Sequence, residues 1–324
     1  MQTEVEKNRA RERARHPDFL RVGLIVAAFA MPVIAALSLY ALINGSIDSI
    51  EAFGLGFLTG SDWIPNPPNG GPPILGALPA IYGSVVTTII ALIFAVPVSL
   101  GIALFQSELA PRKMRLPSIF LVELLAAVPS VVYGLWGILF LVPFMQNYVD
   151  QELIGNFGYI PIFSGQPNGL GMLTAGVILA IMIIPYAAAV MREVFTAVPR
   201  SQREACVALG GTTWETIRTA VIPYAGTGIV AAVVLAMGRA MGETMAVTMV
   251  IGNVARISPS LFLPAETIPS VIANEFTEVA GNNIYLAALF ELGLILFAIA
   301  FLMNLIGRLL ITRLSFHGKG TGNV

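Results

Sequence analysis

The chain has 324 residues, 56% of them hydrophobic and 11% charged, with a mean hydropathy of +0.80. A soluble domain carries about 25% charged residues, so this composition excludes a water-soluble globular protein and points to a bilayer. The single cysteine, Cys206, excludes an intrachain disulfide, and the only histidines, His16 and His317, sit in the tails, so no metal site is expected.

Residues 1–21 form a polar tail with Lys7, Arg9, Arg11, Arg13, Arg15 and Arg21. The apolar run Val22–Ile43 that follows is long enough to span a ~30 Å hydrocarbon core and longer than the ~7–15-residue core of a signal peptide. It reads as a retained first helix. Nucleic-acid binding by the tail is the rival idea, but topology alone accounts for a basic flank. Five further spans are expected at Leu78–Phe105, Leu116–Phe144, Leu170–Phe195, Ile222–Gly252 and Tyr285–Ile311, with internal prolines at Pro97, Pro129 and Pro185. Proline frees a backbone carbonyl that a neighbouring helix must accommodate, and several such helices fit a transporter better than an anchor.

The connections sort by charge. The 45–77 and 145–169 loops contain no Lys or Arg, and the 253–284 loop contains only Arg256. The opposite side carries the basic tail, Arg112, Lys113, Arg115, Arg192, Arg200, Arg203, Arg218 and the C-terminal Arg308, Arg313 and Lys319. The positive-inside rule therefore predicts an all-α protein with six transmembrane helices and both termini cytoplasmic. Its organisation is a basic tail over 1–21, a six-span domain over 22–313 and a C-terminal tail over 314–324. The long outer loops fit either docking of an external partner or a flexible linker.

The 196–221 loop carries helix signals of its own. Ser201-Gln202-Arg203-Glu204 matches a capping box, and Gly210-Gly211 supplies a left-handed stop. Thr212-Thr213-Trp214-Glu215 is a second capping box, opening a short helix expected to end near Pro223. A helix, a tight turn and a helix between two spans can act as a lever; a passive surface helix is the alternative.

In the fifth span, Gly238-Arg239-Ala240-Met241-Gly242-Glu243-Thr244 places an Arg and a Glu four residues apart, on one face of a continuous helix. Gly238 and Gly242 add a G-x-x-x-G packing pattern beside them. Ionisable residues in a span cost about 2.5–3.5 kcal/mol each and normally face a polar path. Arg239 offers paired donors that match an oxyanion, and Glu243 is placed to neutralise it between cycles. A purely structural ion pair is the alternative. Glu123 and Glu291 are second-tier candidates, each explained adequately by an interfacial position.

Glu204-Ala205-Cys206, then Gly210, then Pro223 resembles the cytoplasmic E-A-A…G…P motif of ABC importer permeases, with Cys206 in place of the second Ala and Ala220 at the usual Ile position. Glu123 to Gly134 and Gly238 to Met249 resemble the third and fifth spans of phosphate importer permeases of the PstC type. The resemblance runs from about Leu78 to Arg313. It implies a type I ABC importer permease fold in a bacterial cytoplasmic membrane, and an inorganic-phosphate path that includes Arg239 and Glu243. It also implies that Glu204, Ala205 and Gly210 lie in a coupling helix that engages an ATPase. The implied partners are a PstA-type sister permease, two PstB-type ATPase subunits using ATP and Mg, and a PstS-type external phosphate-binding protein.

Other functions fit less well. An intramembrane aspartyl protease needs paired Asp in spans and a zinc enzyme needs His, and the expected spans contain neither. Ser84, Ser99 and Ser130 have no His partner in the spans. An ion-driven secondary transporter or a permease for another oxyanion remains compatible with the spans. Gly318-Lys319-Gly320-Thr321 lacks the strand and helix that a nucleotide-binding P-loop needs, so no cofactor is expected in this chain and ATP must be used by a partner.

Overall fold

A computed structural model describes residues 18–68, 70–279 and 283–319. Most of the basic tail expected over 1–21, and the side chains of the 314–324 tail, lie outside the described residues. Among the described residues, six helices are long and apolar enough to cross a membrane: Arg21–Phe53, Leu78–Leu109, Ser130–Phe157, Met172–Thr196, Thr213–Met241 and Asn283–Arg313. They are called spans one to six below.

The expected number of spans holds, but several boundaries move. Span one runs on to Phe53 rather than ending at Ile43. The expected third span, Leu116–Phe144, is broken. Arg112–Ala126 is a separate helix of 15 residues, roughly 22 Å long and short of a bilayer core. The break falls at Pro129, because a proline disfavours helical backbone at the residue before it. Span three starts afresh at Ser130 and continues to Phe157, through much of the expected 145–169 loop. The expected fifth helix, Ile222–Gly252, also divides, into Ile222–Met241 and the seven-residue Met245–Ile251. At its other end it is extended. The short helix expected to stop near Pro223 instead runs on into span five, with Pro223 in the first turn of Ile222–Met241, where a missing N–H is tolerated.

Spans two and four form the most extensive helix pair. On span two, Gly83, Thr87, Ala91, Ala95, Ser99 and Ala103 are all buried and recur every fourth residue, a row that winds slowly round the helix. Span four answers with Ala175, Gly176, Ala180, Ala187 and Ala188 among larger Ile178, Leu179 and Ile183. A Cβ on Gly176 would lie 2.4 Å from Ile90 Cγ2, so the side chain of Ile90 fits only against a glycine. Lipid tails remove the hydrophobic drive between helices, and this close contact takes its place. The Ser99 hydroxyl donates across the seam to the Ile184 carbonyl at 3.1 Å. Thr87 and Thr88 satisfy their hydroxyls on Gly83 and Ser84 carbonyls of their own helix, both at 2.7 Å.

Span one lies outside this core and leans on span six. A Cβ on Gly45 would reach 2.5 Å from the Phe290 ring, so the two helices meet at a glycine. Beside it, the Ser49 hydroxyl donates to Glu291, which is buried at 6% exposure. Glu291 therefore does not snorkel to solvent: it is a buried tie between the first and last spans. Exposed Phe29, Leu37, Leu302 and Leu309 face outward, where lipid is the solvent.

After Met245–Ile251 the chain turns through two residues of positive φ, Gly252 at 95° and Asn253 at 50°. It then folds against the start of span two. The Tyr82 hydroxyl donates to the Ser258 carbonyl at 2.7 Å, and the Ile268 N–H donates to Ser84 Oγ at 2.9 Å. A Cβ on Gly83 would sit 1.9 Å from the Glu266 carbonyl oxygen, so no larger residue fits at 83. Glu266 is 4% exposed, and its Oε1 has no hydrogen-bond partner among the described residues. Burial, and then the Glu275 charge, push its pKa up to about 8. Glu275 itself accepts from the Trp63 indole at 2.7 Å and from the Tyr285 hydroxyl.

The raised pKa of Glu266 makes a stability prediction. A carboxyl raised from 4.5 to about 8 favours folding most below pH 4.5, and that contribution is lost as pH climbs to about 8. Glutamine mimics the protonated form and does not titrate. In detergent, the melting temperature of Glu266→Gln should match the parent near pH 5 and exceed it by several degrees at pH 8.5. A difference independent of pH would show that Glu266 does not titrate in this range.

Candidate functional site

Arg239 lies in the last turn of Ile222–Met241, where a cation is favoured by the carbonyl end of the helix. Glycine and a β-branched threonine flank Glu243, and both weaken a helix. The helix stops at Met241, and Glu243 falls in the break before Met245–Ile251. The expectation that Arg239 and Glu243 share one face of a continuous helix is therefore corrected. Among the described residues no ion pair joins them. The Ala246 N–H instead donates to Glu243 Oε1 in a long contact of 3.5 Å, so the carboxylate faces the start of the second half-helix.

The guanidinium of Arg239 lies over the ring of Tyr186, 5.1 Å from its centroid. Such stacking orients a planar cation and leaves its edge donors available. Tyr186 follows Pro185 in span four, and Tyr133 of span three lies within electrostatic reach of Arg239. Tyr133 also donates from its hydroxyl to the Leu125 carbonyl at 2.9 Å, which ties the two sides of the Pro129 break together. Neither tyrosine was singled out in the sequence; the only available signal was a polar ring one residue after Pro185 and another four residues after Pro129.

The two stretches noted separately in the sequence meet in space. A Cβ on Gly134 would lie 2.6 Å from Met249 Sδ and 3.1 Å from the Ala246 Cα. Gly134 thus lets span three press against Met245–Ile251. The G-x-x-x-G pattern expected to pack behaves otherwise. Gly238 has nothing within 4 Å and Gly242 only carbonyls of its own helix, so this face is open in the single chain, as is Arg239.

Glu123 does not join this group. It is exposed on the helix Arg112–Ala126 and pairs with Arg192 at 3.4 Å. Arg192 also approaches Glu193 at 3.6 Å.

The basic loop forms the nine-residue helix Arg200–Ala208, with Glu204 and Ala205 exposed on it. Its expected Ser201–Glu204 capping box is absent. Pro199 is the N-cap and Ser201 lies inside the first turn. The second expected box forms: the Glu215 N–H donates to Thr212 Oγ1 at 3.3 Å, and the Thr212 N–H donates to Glu215 Oε2 at 2.7 Å. Gly210 reverses the chain between the two helices at φ 84° with no atom near its missing Cβ. Leu209 and Trp214 are both exposed. Arg203, read in the sequence only as one of the loop cations, turns inward instead. It reaches Glu108 at the end of span two and the Phe195 and Val198 carbonyls at the end of span four.

Residues 99–316 match the family model described as the binding-protein-dependent transport system inner membrane component. The chain is 45% identical over 316 residues to the phosphate transport system permease protein PstC of Pasteurella multocida, covering 96% of each. It is 48% identical to the protein of the same name from Mesorhizobium japonicum, covering 86% of this chain and 84% of that one. Among solved structures, the inward-facing MetNI methionine ABC transporter aligns with a TM-score of 0.54 at 15% identity, over 72% of this chain and 94% of that one. This last likeness supports the fold of type I ABC importer permeases. The chain belongs to the family of binding-protein-dependent transport system inner membrane components.

Proposed function

We propose that this chain is the PstC-type permease subunit of an ATP-driven importer of inorganic phosphate in a bacterial cytoplasmic membrane. The observation that carries this reading is the 45% identity to a named phosphate permease along 96% of both chains. The basic loops and both termini face the cytoplasm, as the positive-inside rule requires. A PstA-type sister permease completes the path, two PstB-type subunits hydrolyse ATP with Mg, and a PstS-type protein delivers phosphate from outside.

In this reading Arg239 contacts the anion. Stacking on Tyr186 holds the guanidinium plane, and the open edge beside Gly238 faces the path shared with the sister permease. Glu243, in the break of the same segment, regulates that contact, discouraging a fully ionised anion and accepting from a protonated phosphate oxygen. Glu204, Ala205 and Gly210 form the coupling surface for the ATPase. The exposure of Glu204 and Ala205, with Leu209 beside them, supports a docking role over a lipid-buried one.

Two measurements test this. With Cys206 replaced, single cysteines at Gly70 and Lys113 are exposed to an impermeant thiol reagent on intact cells. The cysteine at 70 should be labelled and the one at 113 should not; the reverse pattern would invert the topology. The double change Arg239→Met with Glu243→Gln removes both charges and keeps much of the volume. The assembled complex should retain its ATPase subunits, and phosphate uptake should fall roughly hundred-fold or more, the scale of losing two charge-assisted hydrogen bonds at about 1.5–3 kcal/mol each. Near-parental uptake by the assembled double variant would remove Arg239 from the path.

A further inference from the structure

The loop helix Arg200–Ala208 buries none of its side chains fully, and its neighbours are chiefly the chain that follows it, Thr213–Val221. Cys206 Sγ meets Thr219 Oγ1 at 3.6 Å in the chain that follows, and the direct side-chain hydrogen bonds to spans two and four come from Arg203. Arg203 Nη2 donates to Glu108 Oε1 at 2.7 Å, and Nε donates to Glu108 Oε2 at 3.1 Å, a two-pronged pairing of guanidinium and carboxylate. The same guanidinium donates to the Phe195 carbonyl at 2.8 Å, which also accepts from the Val198 N–H at 3.2 Å, and to the Val198 carbonyl just past the end of span four. The side chains are 23% and 11% exposed, so water competes only partly for this pair.

Glu108 is itself held in place. It lies in the π-helical turn Phe105–Leu109 that ends span two. In the same turn Gln106 is buried and donates to the Ser118 carbonyl of the helix Arg112–Ala126 at 3.0 Å. Arg203 is therefore clamped to the ends of spans two and four, the pair that the small-residue seam joins along its length.

We propose that the Arg203–Glu108 pair is a strut that registers the loop helix against spans two and four, so that displacement of the helix moves this pair of spans as one body. Arg203 and Glu108 are positioning residues: they touch neither phosphate nor nucleotide, and they set how much transport each ATP yields. This rests on the reading that the loop engages the ATPase.

The test uses the full complex in proteoliposomes. Glu108→Ala removes the strut and leaves the two carbonyl contacts of Arg203 in place. In a Cys206→Ala background, Ala205→Cys is cross-linked to the ATPase subunit, with and without Glu108→Ala. The expected result is cross-linking in both, ATP hydrolysis within about two-fold of the parent, and phosphate moved per ATP reduced roughly five-fold or more, a change that about 1 kcal/mol produces. Glu108→Gln, which keeps one acceptor in place, should lie between the two. Cross-linking in both with a parental ratio of phosphate to ATP would overturn the strut and leave the coupling reading intact. No cross-link in the parent would remove the coupling reading and the strut with it. If Glu108→Ala fails to assemble, Glu108→Gln decides by the same ratio. Failure of both to assemble would mark the pair as needed for folding rather than for coupling.

Discussion

The architecture depends on close contact between spans two and four. Within a bilayer, burying apolar surface gains little against lipid, so helices are held by how nearly their backbones approach. Small residues between Thr87 and Ala103 of span two supply that approach, and Gly176 on span four accepts Ile90 at a distance no side chain would allow. The remaining spans are arranged around this seam. Span five packs on both partners and span three lies against span four and Met245–Ile251, while spans one and six form a flank.

The same constraint governs where the backbone departs from helix. Breaks at Pro129 and at Gly242–Thr244 expose carbonyls and N–H groups that lipid cannot satisfy. A side chain reaches back across each break. Tyr133 closes the first by bonding back to Leu125, and Glu243 faces the amide of Ala246 at the second. Because Gly134 admits Ala246 and Met249, the two broken segments lie against each other, with Arg239 at the edge of the junction. Stacking on Tyr186 orients the exposed guanidinium of Arg239 beside the discontinuity. At the basic end, Arg203 reaches the last turn of span four and joins it to the end of span two.

Much was legible in the sequence because membrane insertion is read from local composition. Apolar runs of sufficient length and the one-sided distribution of Lys and Arg indicate the number of spans without any tertiary information. The second capping box and the positive φ of Gly210 were equally local: Thr212, Glu215 and the glycine carry their own geometry. The Ser201–Glu204 box failed because Pro199 starts the helix earlier, which shifts Ser201 out of the cap position. Hydropathy also ran together segments that the chain breaks, since Pro129 and Gly242 leave the apolar run intact while ending the helix.

Sequence by itself determined the membrane class, the six spans, the loop helices and Arg239 with Glu243 as the unusual charges, because each depends on residue type and near neighbours. Tertiary structure alone decided who meets whom. It set Arg239 on Tyr186 rather than on Glu243, buried Glu291 against Ser49, left Glu123 to Arg192, and turned Arg203 inward to Glu108, 95 residues away in sequence. It also chose among the small-residue patterns, using the one in span two for packing and leaving Gly238 and Gly242 open. A spacing of four places residues on one face of a helix, but which face finds a partner depends on how the other helices fill the space around it.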